Sequence, residues 1–296
     1  MARSFTNAEL AHIYDEHPLK KSTILARVQA LKGTLRGITE LDLAVDEDTE
    51  ITDQNHIGGL KFLQELAEKA GVESSSLVLD AGCGLGGSSR ALAYLYGCKV
   101  HGVEITSQRY SDAVDLTELV GLEHLVTFTH GDFLTAELPR KRFDIVLAQS
   151  ALVHFRDKQK VVSRCANHLK EKGRFALEEV YLKRPASGVE EQLQLDELED
   201  VWKSYISSID EWFTCLRAAG LRVVLHEDLT GAFEDYYSKL LRISQTSPPG
   251  RFAANEVKGW SHAVSLALTG ALGFGRIVAS LRHEPAAANL QAHLLG

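Results

Sequence analysis

Val78 to Gly87 reads VLDAGCGLGG, and no other stretch of the chain narrows the fold so far. Apolar residues around one acid suit a buried strand, and glycines at 82, 84, 86 and 87 follow it as a turn before a helix opening at Ser88. Without Cβ atoms a ligand can approach the peptide groups closely, and the helix start offers it free N–H groups. A nucleotide-like ligand is expected. Gly82, Gly84 and Gly87 also satisfy G-x-G-x-x-G, the dinucleotide pattern, so spacing alone leaves two ligand classes open.

Asp80 bears on that choice. At the carboxyl end of its strand it faces the ligand's charged centre, where a pyrophosphate would meet a like charge and the ammonium of an amino-acid moiety would be attracted. S-adenosylmethionine carries such an ammonium. Glu104 closes the run KVHGVEI twenty residues beyond Gly84, where an acid can accept both ribose hydroxyls of either ligand.

The remaining composition excludes several functions. With 45% hydrophobic and 24% charged residues, 296 residues fill one large domain with insertions or two modest ones. A net charge of −8 without a sustained Lys/Arg stripe opposes a nucleic-acid surface, so a small polar substrate is the expected partner. Cys83, Cys98, Cys165 and Cys215 form no C-x-x-C pair, which predicts neither a zinc site nor a disulfide framework. The charged N-terminal stretch lacks the apolar core of an export signal, and a cytoplasmic location is expected. Ala263 to Leu281 is the most apolar window, but Arg276 and glycines at 270, 273 and 275 suit a helix, a turn and a buried strand rather than a membrane span. A monomer or homodimer is expected.

Past Val78, short β-rich runs alternate with longer amphipathic stretches, the pattern of a parallel sheet covered by helices. Strands are predicted at 76–80, 99–104, 125–129, 143–148, 173–180, 221–228 and 275–282, with helices at 88–96, 107–120 and 158–169. Gly97, Gly121 and Gly173 are placed where helices end. The fold class is α/β: a seven-stranded doubly wound, Rossmann-like sheet. Residues 1–70 are read as a helical N-terminal lid, whose TNAELAHIYDEH starts at a Thr or Asn cap and ends near Pro18. Residues 71–184 form the cofactor-binding core, 185–215 and 230–270 inserted helical cap segments, and 216–229 and 271–296 the remaining core strands and tail. Ligands bind beyond the carboxyl ends of the strands in such sheets, so lid and caps are expected over the site.

On these residues the chain resembles the class I S-adenosylmethionine-dependent methyltransferases, over most of residues 50 to 282. VLDAGCGLGG resembles the family's first motif, VEIT its second, HGDF its third and FDIVLAQSALVHFRDK its fourth segment. HLKEKGRFAL is similar to the usual L-K-P-G-G approach to the fifth strand, with Glu171 and Lys172 in place of Pro-Gly. DLTELVGLEHLVTFTHGDFL, ITDQNHIGGL and SIDEWFTCLRAAGLRVVLHEDLT resemble the small-molecule subgroup acting on sarcosine, dimethylglycine or phosphoethanolamine, with tocopherol and natural-product enzymes alongside.

The resemblance implies that Asp80, Gly82, Gly84 and Gly86 hold the methionine end of S-adenosylmethionine, Glu104 its ribose, and Ile105, Asp132 and Phe133 its adenine, with Gln149 on the methyl side. It places His154 to hydrogen-bond the acceptor or to remove its proton, and Glu179 to hold a cationic acceptor. Glu178, its neighbour, points to the opposite face of the strand. Gln54 and His56 form a lid over the methionine moiety, and Tyr14, Tyr181, Tyr236 and Tyr237 are wall residues suited to cation–π contact. No metal is expected.

Methyl transfer to nitrogen of an amine, betaine precursor or phosphobase is the leading function, with O- or C-methylation of a natural product or isoprenoid as the alternative. A nicotinamide oxidoreductase using the same glycines is the reading of another class, opposed by Asp80 and by the absence of a catalytic Tyr/Lys or metal constellation. Against a nucleic-acid methyltransferase, AQSALVHF stands where Asn/Asp-Pro-Pro-aromatic is usual.

Overall fold

The computed structural model describes residues 5–15, 17, 19–45, 52–54, 56–139, 142–248 and 252–281. Pro18, Pro249 and Gly250 of the SPPG break, and the tail beyond residue 281 lie outside them. Seven strands form one sheet: β1 (Leu77–Ala81), β2 (Lys99–Glu104), β3 (Val126–His130), β4 (Phe143–Gln149), β5 (Leu169–Leu182), β6 (Leu221–Asp228) and β7 (Leu272–Leu281). Their order is β3-β2-β1-β4-β5-β7-β6.

The helices are α1 (Asn7–Asp15), α2 (Lys21–Lys32), α3 (Glu40–Ala44), α4 (Gly59–Ala70), α5 (Gly87–Tyr96), α6 (Ser107–Leu119), α7 (Lys158–His168), α8 (Val189–Trp202), α9 (Ile209–Ala218), α10 (Thr230–Thr246) and α11 (Ala254–Leu268). Alternation along the buried strands sends Leu79, Val146 and Phe175 into a core with α7 and α9, and Val78, Ile145 and Ala176 into a second core with α4 and α5. Both faces are thereby covered.

Two features depart from the sequence reading. Gly173 does not close a helix: α7 runs directly into β5, where Leu169 pairs with Phe143 and the register slips before Arg174 pairs with Ile145. The sheet is also mixed rather than parallel, because β7 inserts between β5 and β6 and runs antiparallel to both. This insertion aligns Gln149, Glu178, Arg276 and Glu227 as direct partners across four strands. Arg276 donates from Nε to Glu178 at 2.7 Å and from Nη1 to Glu227 at 2.8 Å, and its Nη2 reaches Glu65 of α4 at 2.9 Å. A buried guanidinium is tolerated here because carboxylates surround it.

At the N-terminus α1 starts on Thr6. Thr6 N–H donates to Glu9 Oε2 at 2.7 Å and Glu9 N–H to Thr6 Oγ1 at 3.2 Å, a reciprocal capping box. The apolar window Ala263–Leu281 divides into the end of α11, a turn and β7. No helix of the described residues is long and apolar enough to cross a membrane.

Candidate functional site at the carboxyl ends of the central strands

The glycine loop leaves β1 where the chain folds back on the turn after β4. Gly82 has φ +83°, and a Cβ there would stand 2.6 Å from Ala151 Cβ, so the two loops meet at a separation only glycine permits. Asp80, buried beneath the loop, accepts from Ser89 Oγ at 2.6 Å, and burial pushes its carboxyl up to about 6. Glu104, at the end of β2, accepts from Gly84 N–H at 2.9 Å and from Thr106 N–H at 2.7 Å, one bond on each oxygen. Each oxygen keeps acceptor capacity for a ligand hydroxyl. Farther along, Asp132 Oδ1 accepts from Leu134 N–H at 2.8 Å, which turns the loop beside Ile105, while the Phe133 ring is buried.

The segment before α4 is laid on this loop. A Cβ at Gly87 would meet the Asp53 carbonyl oxygen at 2.3 Å. Arg90 of α5, fully buried, holds the segment down: Nη2 donates to Asp53 Oδ2 at 2.7 Å and Nε to Glu40 Oε2 of α3 at 2.8 Å. Gln54 Nε2 donates to Asp53 Oδ1 at 3.0 Å, and His56 Nε2 lies 3.1 Å from Gln54 Oε1. Gln149 accepts from Ser88 Oγ at 2.9 Å and donates to Glu178 Oε2 at 2.7 Å, so the amide orientation follows from the cross-strand row. Burial raises Glu178 to about 7 against the pull of Arg276 and holds His56 down at about 4.

A 3-10 turn, Leu152–His154, presents His154 to the same space. Buried charged groups satisfy its backbone: Glu179 Oε2 accepts from Val153 N–H at 2.9 Å, and Lys158 Nζ donates to the Leu152 and Val153 carbonyls at 3.1 Å each. His154 Nδ1 lies 3.1 Å from the Lys203 carbonyl oxygen, which can only accept, so Nδ1 carries the proton. Nε2, at 2.8 Å, therefore accepts from Tyr14 Oη of α1. Burial holds His154 down at about 4 and pushes Tyr14 up to about 12, while the Arg109 guanidinium, 4.3 Å from the Tyr14 ring centroid, opposes the latter shift.

One cavity gathers Asp80, Gly82, Gly84, Glu104, Ile105, Asp132, Phe133, Gln149, His56, Tyr14 and His154. Several expected residues stand elsewhere. Glu179 turns beneath the 3-10 turn and does not line the cavity. Tyr181 shares its strand face and is buried over β7, where a Cβ at Gly273 would stand 2.7 Å from its ring. Tyr236 and Tyr237 pack edge to face, 5.3 Å apart, in a core with Phe233 and Phe274. Gly86 does not line the cavity; a Cβ there would meet Arg90 and Phe128. Gln54 touches the ligand space only through Asp53 and His56.

Sequence reasoning missed Arg109, Asp53, Ser88, Phe5 and Tyr205, all on the cavity wall. Arg109 was open to discovery, since a cation in the first turn of α6 directly follows the Glu104 strand. Phe5 and Tyr205 carried no local signal; they meet because Phe5 N–H donates to Tyr205 Oη at 2.6 Å across 200 positions.

A family model described as a methyltransferase domain matches residues 72–220, half of the chain. The chain belongs to this methyltransferase family. S-adenosylmethionine is the donor, which decides between the two ligand classes that the glycine spacing left open. This methyltransferase is 26% identical over 232 residues to phosphoethanolamine N-methyltransferase of Plasmodium falciparum, covering 75% of this chain and 81% of that protein. It is 27% identical over 186 residues to glycine/sarcosine/dimethylglycine N-methyltransferase of Actinopolyspora halophila, covering 63% of this chain but only 32% of that longer protein. In fold it is similar to geranyl diphosphate C-methyltransferase of Streptomyces coelicolor, with a TM-score of 0.70 and 16% identity over 95% of this chain and 99% of that one.

Proposed function

We propose that the cavity transfers a methyl group from S-adenosylmethionine to a small-molecule acceptor, with nitrogen as the leading nucleophile and Tyr14–His154 as the proton-accepting pair. The single observation that carries this reading is the 2.8 Å hydrogen bond from Tyr14 Oη to His154 Nε2 inside the cavity that Asp80 and Glu104 line. The donor residues fit their ligand: Asp80 for the methionine ammonium, Glu104 for the ribose hydroxyls, and Ile105, Asp132 and Phe133 for the adenine. Bound there, S-adenosylmethionine supplies a methyl group on a positively charged sulfur, which keeps the electron pair of the broken carbon–sulfur bond. Tyr14 Oη takes the proton released by the acceptor as its own proton passes to His154 Nε2, and the imidazolium is held at Nδ1 by Lys203 O. Positioning supplies the rest of the acceleration, because the methyl carbon is already activated.

The N-methyltransferases among the relatives support nitrogen. A second reading, transfer to oxygen or carbon, is favoured by the apolar wall of Phe5, Leu10, Leu134 and Phe155, and by the greater need of such nucleophiles for a proton acceptor. We assign residues 1–70 to the lid and 185–215 and 230–270 to the caps. The four cysteines are free and buried, which suits a cytoplasmic location. The test is transfer from methyl-labelled S-adenosylmethionine to a panel of amines, phosphobases, phenols and carbon acids. Labelling of an amine or phosphobase that is lost in Tyr14→Phe supports the reading; labelling only of hydroxyl or carbon acceptors selects the second.

A further inference from the structure

Lys203 adopts φ +47° and ψ +49°, a left-handed conformation that a residue with a Cβ rarely holds. It sits where α8 ends. Lys203 N–H donates to the Asp200 carbonyl at 3.4 Å and Ser204 N–H to the Glu199 carbonyl at 2.9 Å, the paired bonds of a Schellman stop. Glycine or asparagine normally occupies this position because neither is penalised there. Here lysine does, and its carbonyl oxygen is the group 3.1 Å from His154 Nδ1.

We infer that Lys203 is a positioning residue of the methyltransferase: its left-handed backbone aims a carbonyl at His154 Nδ1 and so keeps Nε2 free to take the proton of Tyr14. A right-handed residue at this position would continue α8 and turn the carbonyl along the helix axis, away from the ring. Without that acceptor the imidazole has no reason to keep its proton on Nδ1, and a proton on Nε2 would leave Tyr14 nothing to donate to. Outlying backbone geometry held in place by surrounding contacts is a mark of functional sites. The contacts are present on both sides. Tyr205 N–H donates to the Val153 carbonyl at 2.8 Å, Ile206 N–H to Glu199 Oε1 at 2.8 Å, and Lys203 Nζ reaches Asp200 Oδ1 at 3.0 Å while standing 5.2 Å from the Phe5 ring centroid. The cap helix α8, whose body does not line the cavity, thus acts on the site through its last turn.

The inference rests on His154 being the proton acceptor, and its test reads the ring without turnover. Nitrogen-15 spectra of the 296-residue chain, with His154 assigned by difference from His154→Gln, should show a protonated Nδ1 and an unprotonated Nε2. Lys203→Gly deletes the side chain but keeps the left-handed backbone, and should leave that tautomer unchanged. Lys203→Val opposes the left-handed backbone, and should populate the Nε2–H form and lower kcat by about 10- to 100-fold without changing S-adenosylmethionine affinity. A wild-type ring protonated at Nε2 overturns the inference even if the valine variant does not fold, and so does a glycine variant whose His154 tautomer shifts as far as that of the valine one. If the spectra are as expected but His154→Gln methylates normally, the proton-accepting role fails while the control of the tautomer stands.

Discussion

Tyr14 Oη donates to His154 Nε2 at 2.8 Å, although 140 positions separate the two residues and they belong to different layers of the fold. One comes from the first helix, the other from a 3-10 turn at the end of β4. Both side chains line the cavity that the glycine loop also lines.

Tyr14→Phe should therefore lower kcat by about 100-fold, the usual contribution of a positioned proton acceptor, with little change in donor affinity. His154→Asn should do the same. Because the two act as a unit, the double variant should lose no more than either single one, a non-additivity that a double-mutant cycle of kcat detects.

Asp80 gives the donor site a pH dependence. Its folded carboxyl titrates near 6 rather than 3.8, since burial disfavours the charge. If Asp80 holds the donor's ammonium as proposed, the ionised form is the one that binds, so below pH 6 binding must first expel a proton. Affinity for S-adenosylmethionine should rise with pH up to about 6 and then level off, falling by about tenfold per unit below that point. The same shift means that the folded state holds more protons than the unfolded chain between 3.8 and 6, so this group's contribution to stability decreases as pH rises through that window. Titration calorimetry at fixed ionic strength checks the binding arm, and Asp80→Asn should flatten the profile while weakening binding.

Arg90 lies fully buried between Glu40 and Asp53. Arg90→Met would leave two buried carboxylates without their cation, and burial already raises Glu40. A loss of about 3–5 kcal/mol in urea unfolding is expected, together with weaker donor binding as residues 52–54 lose their anchor on α5.

Glu179 supports the turn that carries His154 and does not line the cavity. Glu179→Gln should leave the acceptor KM unchanged and lower stability by about 1–3 kcal/mol, because an amide replaces one acceptor oxygen with a donor facing N–H groups. A selective rise in acceptor KM would return Glu179 to the role of a pocket acid.

The sequence by itself determined the donor half of this protein. The apolar runs, the acid of β1, the glycines and the acid of β2 are local in the chain, and local patterns fix strands, turns and the residues at their ends. Asp80 and Glu104 were legible for that reason, as was the division of Ala263–Leu281 into a helix and a strand, whereas Asp132 and Gln149 were reached through the family resemblance of their segments. Tertiary structure decided the remainder. The antiparallel insertion of β7 puts Arg276 beside Glu178, which fixes the Gln149 amide, and that register depends on the order of strands far apart in sequence. Which face Glu179 and Tyr181 occupy follows from the same register, since alternation along β5 puts them on one side and Glu178 on the other. The contacts of Tyr14, His154, Lys203 and Phe5 join segments that share no periodicity or motif, so only folding brings them together. The wall of Tyr14, His154 and Phe5 is made of such long-range contacts, whereas the wall of Asp80, Gly82 and Gly84 is one continuous strand and loop leading into a helix.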